Sequence, residues 1–277
     1  AAKATGLPAG VPVVATSNDK AVEGLGTGCM GDSTVCISLG TYTSAMMEGK
    51  ENLKGTSYAW PKFSCMPNKY LYDSNGIRRG MWTVSWYRDI LGEGYAKLAE
   101  EKGMSPEEAL GLEAEKVSVG SDGLMTVLNW LANVDARYQK GIMIGFDGRH
   151  TRGHIYRSIL EAVAMTMKGH VSDMCNEVGT TIEKLIITGG GSNSDLFMQI
   201  FADVFNIPVV RNEVNGAAGL GSAICAAVAA NVYDSFESAV EHMVRIKDTF
   251  TPIAENAEIY SKMIPVYSEI TKYTDPI

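Results

Sequence analysis

Three short stretches of this 277-residue chain combine residue types suited to handling a phosphate or a hydroxyl. The first is Ser17-Asn18-Asp19, which follows the β-branched run Val11-Pro12-Val13-Val14-Ala15-Thr16 and precedes a short helical pattern ending at Gly26. A carboxylate there, Asp19, can take a proton from an attacking hydroxyl as a general base, or it can cap the helix that follows. The second is Leu39-Gly40-Thr41, where a glycine lets an anion approach the backbone and a Thr hydroxyl can bind its oxygens; an ordinary hairpin turn needs the same residues. The third is Thr188-Gly189-Gly190-Gly191-Ser192-Asn193-Ser194. Glycines at the end of a strand that lead into a helix leave N–H donors free for a phosphate, and they also serve as a plain strand-to-helix turn.

The elements around these stretches form an alternating pattern. Val11–Thr16 predicts a buried strand, residues 20–26 a helix, and residues 33–39 a strand paired with 41–47 across a tip at Leu39-Gly40-Thr41. Residues 48–79 mix loop and strand, and residues 120–148 are ambiguous. Trp82, Trp86, Ile90 and Tyr95 give helical apolar spacing over residues 80–98. Ser105-Pro106-Glu107-Glu108 is a helix start, with Pro at the first helical position and acids in the first turn. Ile155, Ile159, Ala162, Val163 and Met167 predict a long amphipathic helix over about residues 151–178. The last third reads strand (183–188), helix (195–205), strand (207–210) and small-residue helix (216–232), the order of an α/β domain. Gly216-Ala217-Ala218-Gly219-Leu220-Gly221 has no strand running directly into it, so it reads as close packing of a helix on a sheet rather than as a dinucleotide loop.

Composition narrows the function classes. A formal charge of −8 argues against nucleic acid or an anionic membrane as the main partner. Five cysteines without CxxC spacing read as reduced core thiols of a cytoplasmic protein. The longest weakly polar stretch, residues 217–232, is shorter than the roughly 20 residues a membrane helix needs. His150 and His154 are separated by Gly153 and lie outside an HExxH frame, so no metal site is expected there. The chain opens at Ala1-Ala2-Lys3 without a Met, and the expectation is a fragment of a longer protein.

Together the three stretches resemble the C-terminal half of the FGGY family of carbohydrate kinases. The motifs are Ser17-Asn18-Asp19-Lys20-Ala21-Val22-Glu23-Gly24-Leu25-Gly26-Thr27-Gly28, Gly40-Thr41 and Gly189-Gly190-Gly191-Ser192. Trp86-Tyr87-Arg88-Asp89 and Arg157-Ser158-Ile159-Leu160-Glu161-Ala162-Val163-Ala164 are similar to two further helices of that family. The resemblance runs from residue 1 to about residue 250.

The resemblance implies an α/β lobe of the ribonuclease H-like, actin-like ATPase (hexokinase) kind, a mixed sheet with flanking helices filling residues 1–277. It implies ATP and Mg²⁺ as cofactors and a sugar or polyol as substrate. An N-terminal lobe of the same kinase, absent from this chain, would carry most sugar contacts. Asp19 takes the catalytic-base position, Gly40 and Thr41 the β- and γ-phosphate contacts, and Gly80 a further nucleotide contact. Gly189, Gly190 and Gly191 take the α-phosphate and ribose side, with Ser194 near the adenine. Without its partner lobe the isolated chain is expected to be inactive and to self-associate through the bared cleft face. Two departures stand out: Ser17 and Asn18 replace the usual glycines before the base, and the family's GExxP loop is absent after Asp122-Gly123-Leu124. An actin- or chaperone-like ATPase, or a silent nucleotide-binding paralogue, is the competing expectation.

Overall fold

The computed structural model describes residues 2–274. A seven-stranded mixed sheet forms the middle layer, built in chain order from β1 (Thr34–Leu39), β2 (Thr43–Gly49), β3 (Ala59–Phe63), β4 (Tyr70–Ser74), β7 (Lys184–Thr188), β8 (Val209–Asn212) and β9 (Ile246–Phe250). Their order across the sheet is β3-β4-β2-β1-β7-β8-β9; β1 pairs in parallel with β7, and β7 with β8. A separate ribbon joins β5 (Met125–Val127) to β6 (Ile142–Ile144).

Side chains alternate across the sheet, so each face receives every second residue. Val35, Ile37 and Leu39 of β1 enter one large core. That core also takes residues of α6 (Arg152–Val178), α7 (Asp195–Phe205) and α10 (Ala254–Thr274). Cys36 of β1 turns to the opposite face, with Met46, Leu71, Ile186 and Val210, and meets Ala21 of α2 (Asp19–Thr27). Leu25 continues that layer toward α8 (Ala217–Ala229) and α9 (Phe236–Met243). The remaining helices are α1 (Ala2–Thr5), α3 (Gly80–Ile90), α4 (Gly92–Glu100) and α5 (Pro106–Ala114).

The α2–α8 crossing is a backbone-to-backbone contact. A Cβ on Gly26 would stand 1.8 Å from the Ala217 carbonyl oxygen, and one on Gly221 1.9 Å from that of Val22. Of the glycines in residues 216–221, Gly221 packs its helix closely, against α2 and not against the sheet, while Gly216 and Gly219 face open space.

The long helix α6 is tied down by a buried ion pair. Arg157 Nε donates to Glu161 Oε1 at 2.8 Å, and Glu161 also accepts from Gly120 N, Ser121 Oγ and Tyr260 Oη. Arg157 Nη1 reaches the carbonyls of Ala114 and Val117. A buried pair is stable only when its remaining polar atoms are satisfied, and here the two side chains together join α5, α6, α10 and the 120–121 turn.

Three local expectations are corrected. Residues 11–16 form no strand: Val13 is 93% exposed, and the segment's tie to the sheet is Ser17 Oγ donating to Phe63 O. A β-branched run becomes a strand only when it finds a surface to pair and pack on. The helix expected over 80–98 divides at Gly92, whose φ of +75° is left-handed, into α3 and α4. The β1–β2 pairing extends to Leu39↔Thr43, so the hairpin tip is Gly40-Thr41-Tyr42, one residue later than expected. Among the described residues, no helix is long and apolar enough to cross a membrane.

Candidate active site

Parallel pairing of β1 with β7 aligns Ser38 with Thr188 and sets the chain after each strand side by side at one end of the sheet. In open α/β sheets the carboxyl ends of parallel strands are where ligands bind. The two loops that emerge are the Gly40-Thr41-Tyr42 tip and the Gly189-Gly190-Gly191 run. They touch. Gly189 has φ +89° and ψ 178°, and a Cβ there would lie 2.6 Å from the Leu39 carbonyl oxygen. A Cβ on Gly191 would meet Leu39 Cβ at 3.0 Å and Met81 Sδ at 3.1 Å. Gly190, between them, is exposed and has no atom within 4 Å of its Cβ position. The run therefore has two glycines that seat the loop on β1 and one that faces open space.

Past the glycines, Ser192 Oγ donates to Gly189 O at 2.7 Å, and Arg211 Nη1 donates to Ser192 O at 2.8 Å. Arg211 is held in turn by Asp195 and Asp248. Ser194 caps α7, its hydroxyl accepting from Phe197 N. The loop thus enters an eleven-residue helix whose first N–H groups and dipole favour an anion.

The hairpin side is braced from below. Met81 N donates to Gly40 O at 3.2 Å, and Thr43 Oγ1 donates to the same oxygen. Gly80 is buried against Thr43, where a Cβ would stand 2.2 Å from Oγ1. Gly80 thus faces protein on the hairpin side, and its neighbour Met81 lines the cleft. Thr41 is exposed and Gly40 half-buried at the tip.

Asp19 opens α2 on the other face of the sheet. The helix cap is not Asp19 but Asn18, whose side chain accepts from Ala21 N at 3.1 Å. The Asp19 carboxylate is exposed and accepts from Lys20 N at 2.8 Å. Its helix is linked to the end of β1 through Glu23, which takes Ser38 Oγ at 2.7 Å and Lys20 Nζ at 3.0 Å. Sheet register sets Ser38 opposite Ser44, and Met46 opposite Asp73. Ser44 Oγ and Asp73 Oδ1 are buried and have no partner among the described residues, while Asp73 Oδ2 pairs with Lys62 at 2.6 Å. An exposed carboxylate with no capping duty can accept a proton from a bound alcohol.

Between the glycine run and α5 lies a cleft of about 620 Å³, lined by Met81, Val84, Leu112, Gly190, Gly191 and Ser194 among others. Its size and apolar walls suit a heteroaromatic ring, with polar groups at one end. Glu108 and Glu115 of the 106–115 segment border it. Sequence reasoning missed this wall, because a helix start such as Ser105-Pro106-Glu107-Glu108 gives no sign of which cavity the helix borders. The glycine at 111 was the available hint.

Compared with known proteins, residues 35–230 match a family model described as the FGGY family of carbohydrate kinases, C-terminal domain. The chain is 52% identical over 278 residues to the "uncharacterized sugar kinase YgcE" of Escherichia coli (strain K12), covering 100% of this chain and 56% of that protein. It is 26% identical to a xylulose kinase of Bacillus subtilis (strain 168), over 98% of this chain and 52% of the relative. Among solved structures, the xylulose kinase from Rhodospirillum rubrum superposes with a TM-score of 0.84 at 26% identity, over 99% of this chain and 54% of that one. The chain spans about half the length of the curated relatives it matches.

Proposed function

This chain belongs to the FGGY family of carbohydrate kinases, and on that premise we propose that it is the ATP-binding lobe of a kinase acting on a ketose, polyol or sugar acid. The observation that carries the reading is the seating of Gly189 on the Leu39 carbonyl, which fixes the glycine run beside the end of β1, where the Gly40-Thr41 tip begins. Such a pair of loops leaves backbone donors for a run of phosphates and lets no side chain intrude.

In this reading Gly40 and Thr41 hold the outer phosphates, and Gly189, Gly190 and Gly191 the inner phosphate and ribose. Ser194 and the cleft wall of Met81 and Leu112 face the base, and Gly80 keeps the hairpin in place from beneath. Asp19 draws the proton from the acceptor hydroxyl as that oxygen attacks the terminal phosphorus, and the bond from phosphorus to the bridging oxygen of the nucleotide breaks. Phosphoryl transfer of this kind is driven by positioning and charge stabilisation. Lys20 brings a positive charge to the sheet end, and Glu23 fixes its direction.

Among the described residues no group of three or more His, Cys, Asp or Glu side chains is arranged to hold a metal ion. A Mg²⁺ carried chiefly by phosphate oxygens and water needs few protein ligands, and the buried, unpartnered Asp73 Oδ1 is a carboxylate oxygen that would serve as one. Such an ion supplies charge neutralisation across the phosphates. An N-terminal lobe of the same kinase completes the sugar site, and the enzyme works in the cytoplasm, in keeping with five free thiols.

The test is calorimetric titration of the chain with MgADP and MgATP. Saturable binding that Gly190→Asp abolishes, with folding intact, is the expected result. Equal binding by the variant would remove the glycine run from the site.

A further inference from the structure

A second cavity lies on the α6 side of the sheet, away from the glycine run. It encloses about 370 Å³ between the turn at Gly76-Ile77-Arg78, the loop after β5, the middle of α6 and the later turns of α10. None of the residues lining the nucleotide cleft lines it.

Its chemistry differs from that of the rest of the molecule. In a chain of net charge −8, no Asp or Glu among the described residues lines this cavity, whereas Glu107, Glu108, Glu115 and Asp195 line the nucleotide cleft. Among the described residues that line it, the one formal cation is Arg78. Its Nη1 donates to Ala132 O at 2.7 Å, and it forms no ion pair among the described residues. Thr166 Oγ1 and Tyr267 Oη meet at 3.0 Å on the wall, and the amides of Asn129 and Asn133 line it as well.

One group in it is unsatisfied. His170 Nδ1 is buried and has no hydrogen-bond partner among the described residues. Burial pushes the imidazole below its ordinary range, against the opposing pull of Asp173 and of the Asn75 backbone, so the ring is neutral at neutral pH. A buried polar atom left without a partner destabilises the fold, and a ligand that supplies the partner gains by it. An alcohol satisfies it in either tautomer, because a hydroxyl both donates and accepts.

We infer that this cavity is a second ligand site for a small hydroxylated organic anion of sugar size. Arg78 takes the anionic group, His170 and the amides take hydroxyls, and Ile77, Leu128 and Met165 cover the carbon frame. The cavity volume falls in the range of small-molecule pockets. The floor of the site is wired to the hairpin: Ile77 and Thr43 exchange two backbone hydrogen bonds, at 2.8 and 3.1 Å, and Thr43 Oγ1 bonds Gly40 O.

Gly169 gives a clean test. It lines the cavity, lies within α6, and has no atom within 4 Å of its Cβ position. A larger residue there fills the cavity without straining the helix, and replacing a helical glycine favours the fold. The probes are ribose 5-phosphate, gluconate, ribose and inorganic phosphate, titrated calorimetrically into the chain with and without saturating MgADP. The expected result is saturable binding of ribose 5-phosphate or gluconate that persists under MgADP. Gly169→Leu and Arg78→Ala each weaken it at least tenfold while MgADP affinity stays within twofold. Ribose and phosphate alone bind at least tenfold more weakly than the better organic anion. Absence of binding by both organic anions, or binding that survives Gly169→Leu, overturns the inference. MgADP binding, read in the same titrations, reports separately on the kinase reading.

Discussion

Replacing Gly189 with alanine tests whether the seating of the glycine run on β1 is structural. At φ +89° and ψ 178° the residue occupies backbone space that is almost confined to glycine, at a cost of about 1–3 kcal/mol for other residues. The new Cβ would also stand 2.6 Å from Leu39 O and 2.9 Å from Leu39 C. Those are backbone atoms of a central strand, with both neighbours paired, so they cannot swing aside as a side chain can. The combined loss should be at least about 2 kcal/mol, which in a chain of this size lowers the melting temperature by roughly 4–8 °C. Gly190→Ala is the control: its Cβ meets nothing, and its φ is not positive, so stability should stay within about 0.5 kcal/mol. Urea denaturation followed by circular dichroism measures both. If Gly189→Ala melts with the wild type, or the two variants lose stability equally, the seating argument fails.

Asp19 and Asn18 should separate into activity and stability. Asp19→Asn leaves urea stability within about 0.5 kcal/mol and lowers phosphoryl transfer by at least about a hundredfold in the complete kinase; Asn18→Ala costs about 1 kcal/mol through the lost cap. Gly26→Ala should destabilise by about 3 kcal/mol in the same denaturation assay, because its Cβ falls 1.8 Å from Ala217 O across the α2–α8 crossing. The Glu177 carboxylate is held below its ordinary range by N–H donors from Ser57, Tyr58 and Ala59. A lowered folded-state pKa gives stability that is present above the unfolded carboxylate range and lost as pH falls through the folded value. Glu177→Gln should therefore flatten the acid limb of the stability–pH curve, and an unchanged limb would count against that attachment.

Much of the layered fold and the identity of the glycine run could be read from the residues alone. Val35, Ile37 and Leu39 alternate with Cys36 because a strand offers its two faces in turn, and that alternation is written in the chain. The Thr188–Ser194 run and the Asn18-Asp19 helix start are likewise local, since a turn or a cap is settled by its own few residues. What the sequence could not decide was which of two adjacent residues caps α2; a side-chain oxygen reaching Ala21 N assigned that role to Asn18 and left Asp19 exposed. Nor could it decide that Val11–Thr16 finds no strand partner, or that Gly26 and Gly221 serve one another, because both depend on which surfaces meet across long stretches of chain. The meeting of Gly189 with Leu39, residues 150 positions apart, was decided by parallel pairing of β1 with β7. Composition and local pattern encode elements and their faces; the close approach of backbone to backbone that builds the site exists only once those faces are packed.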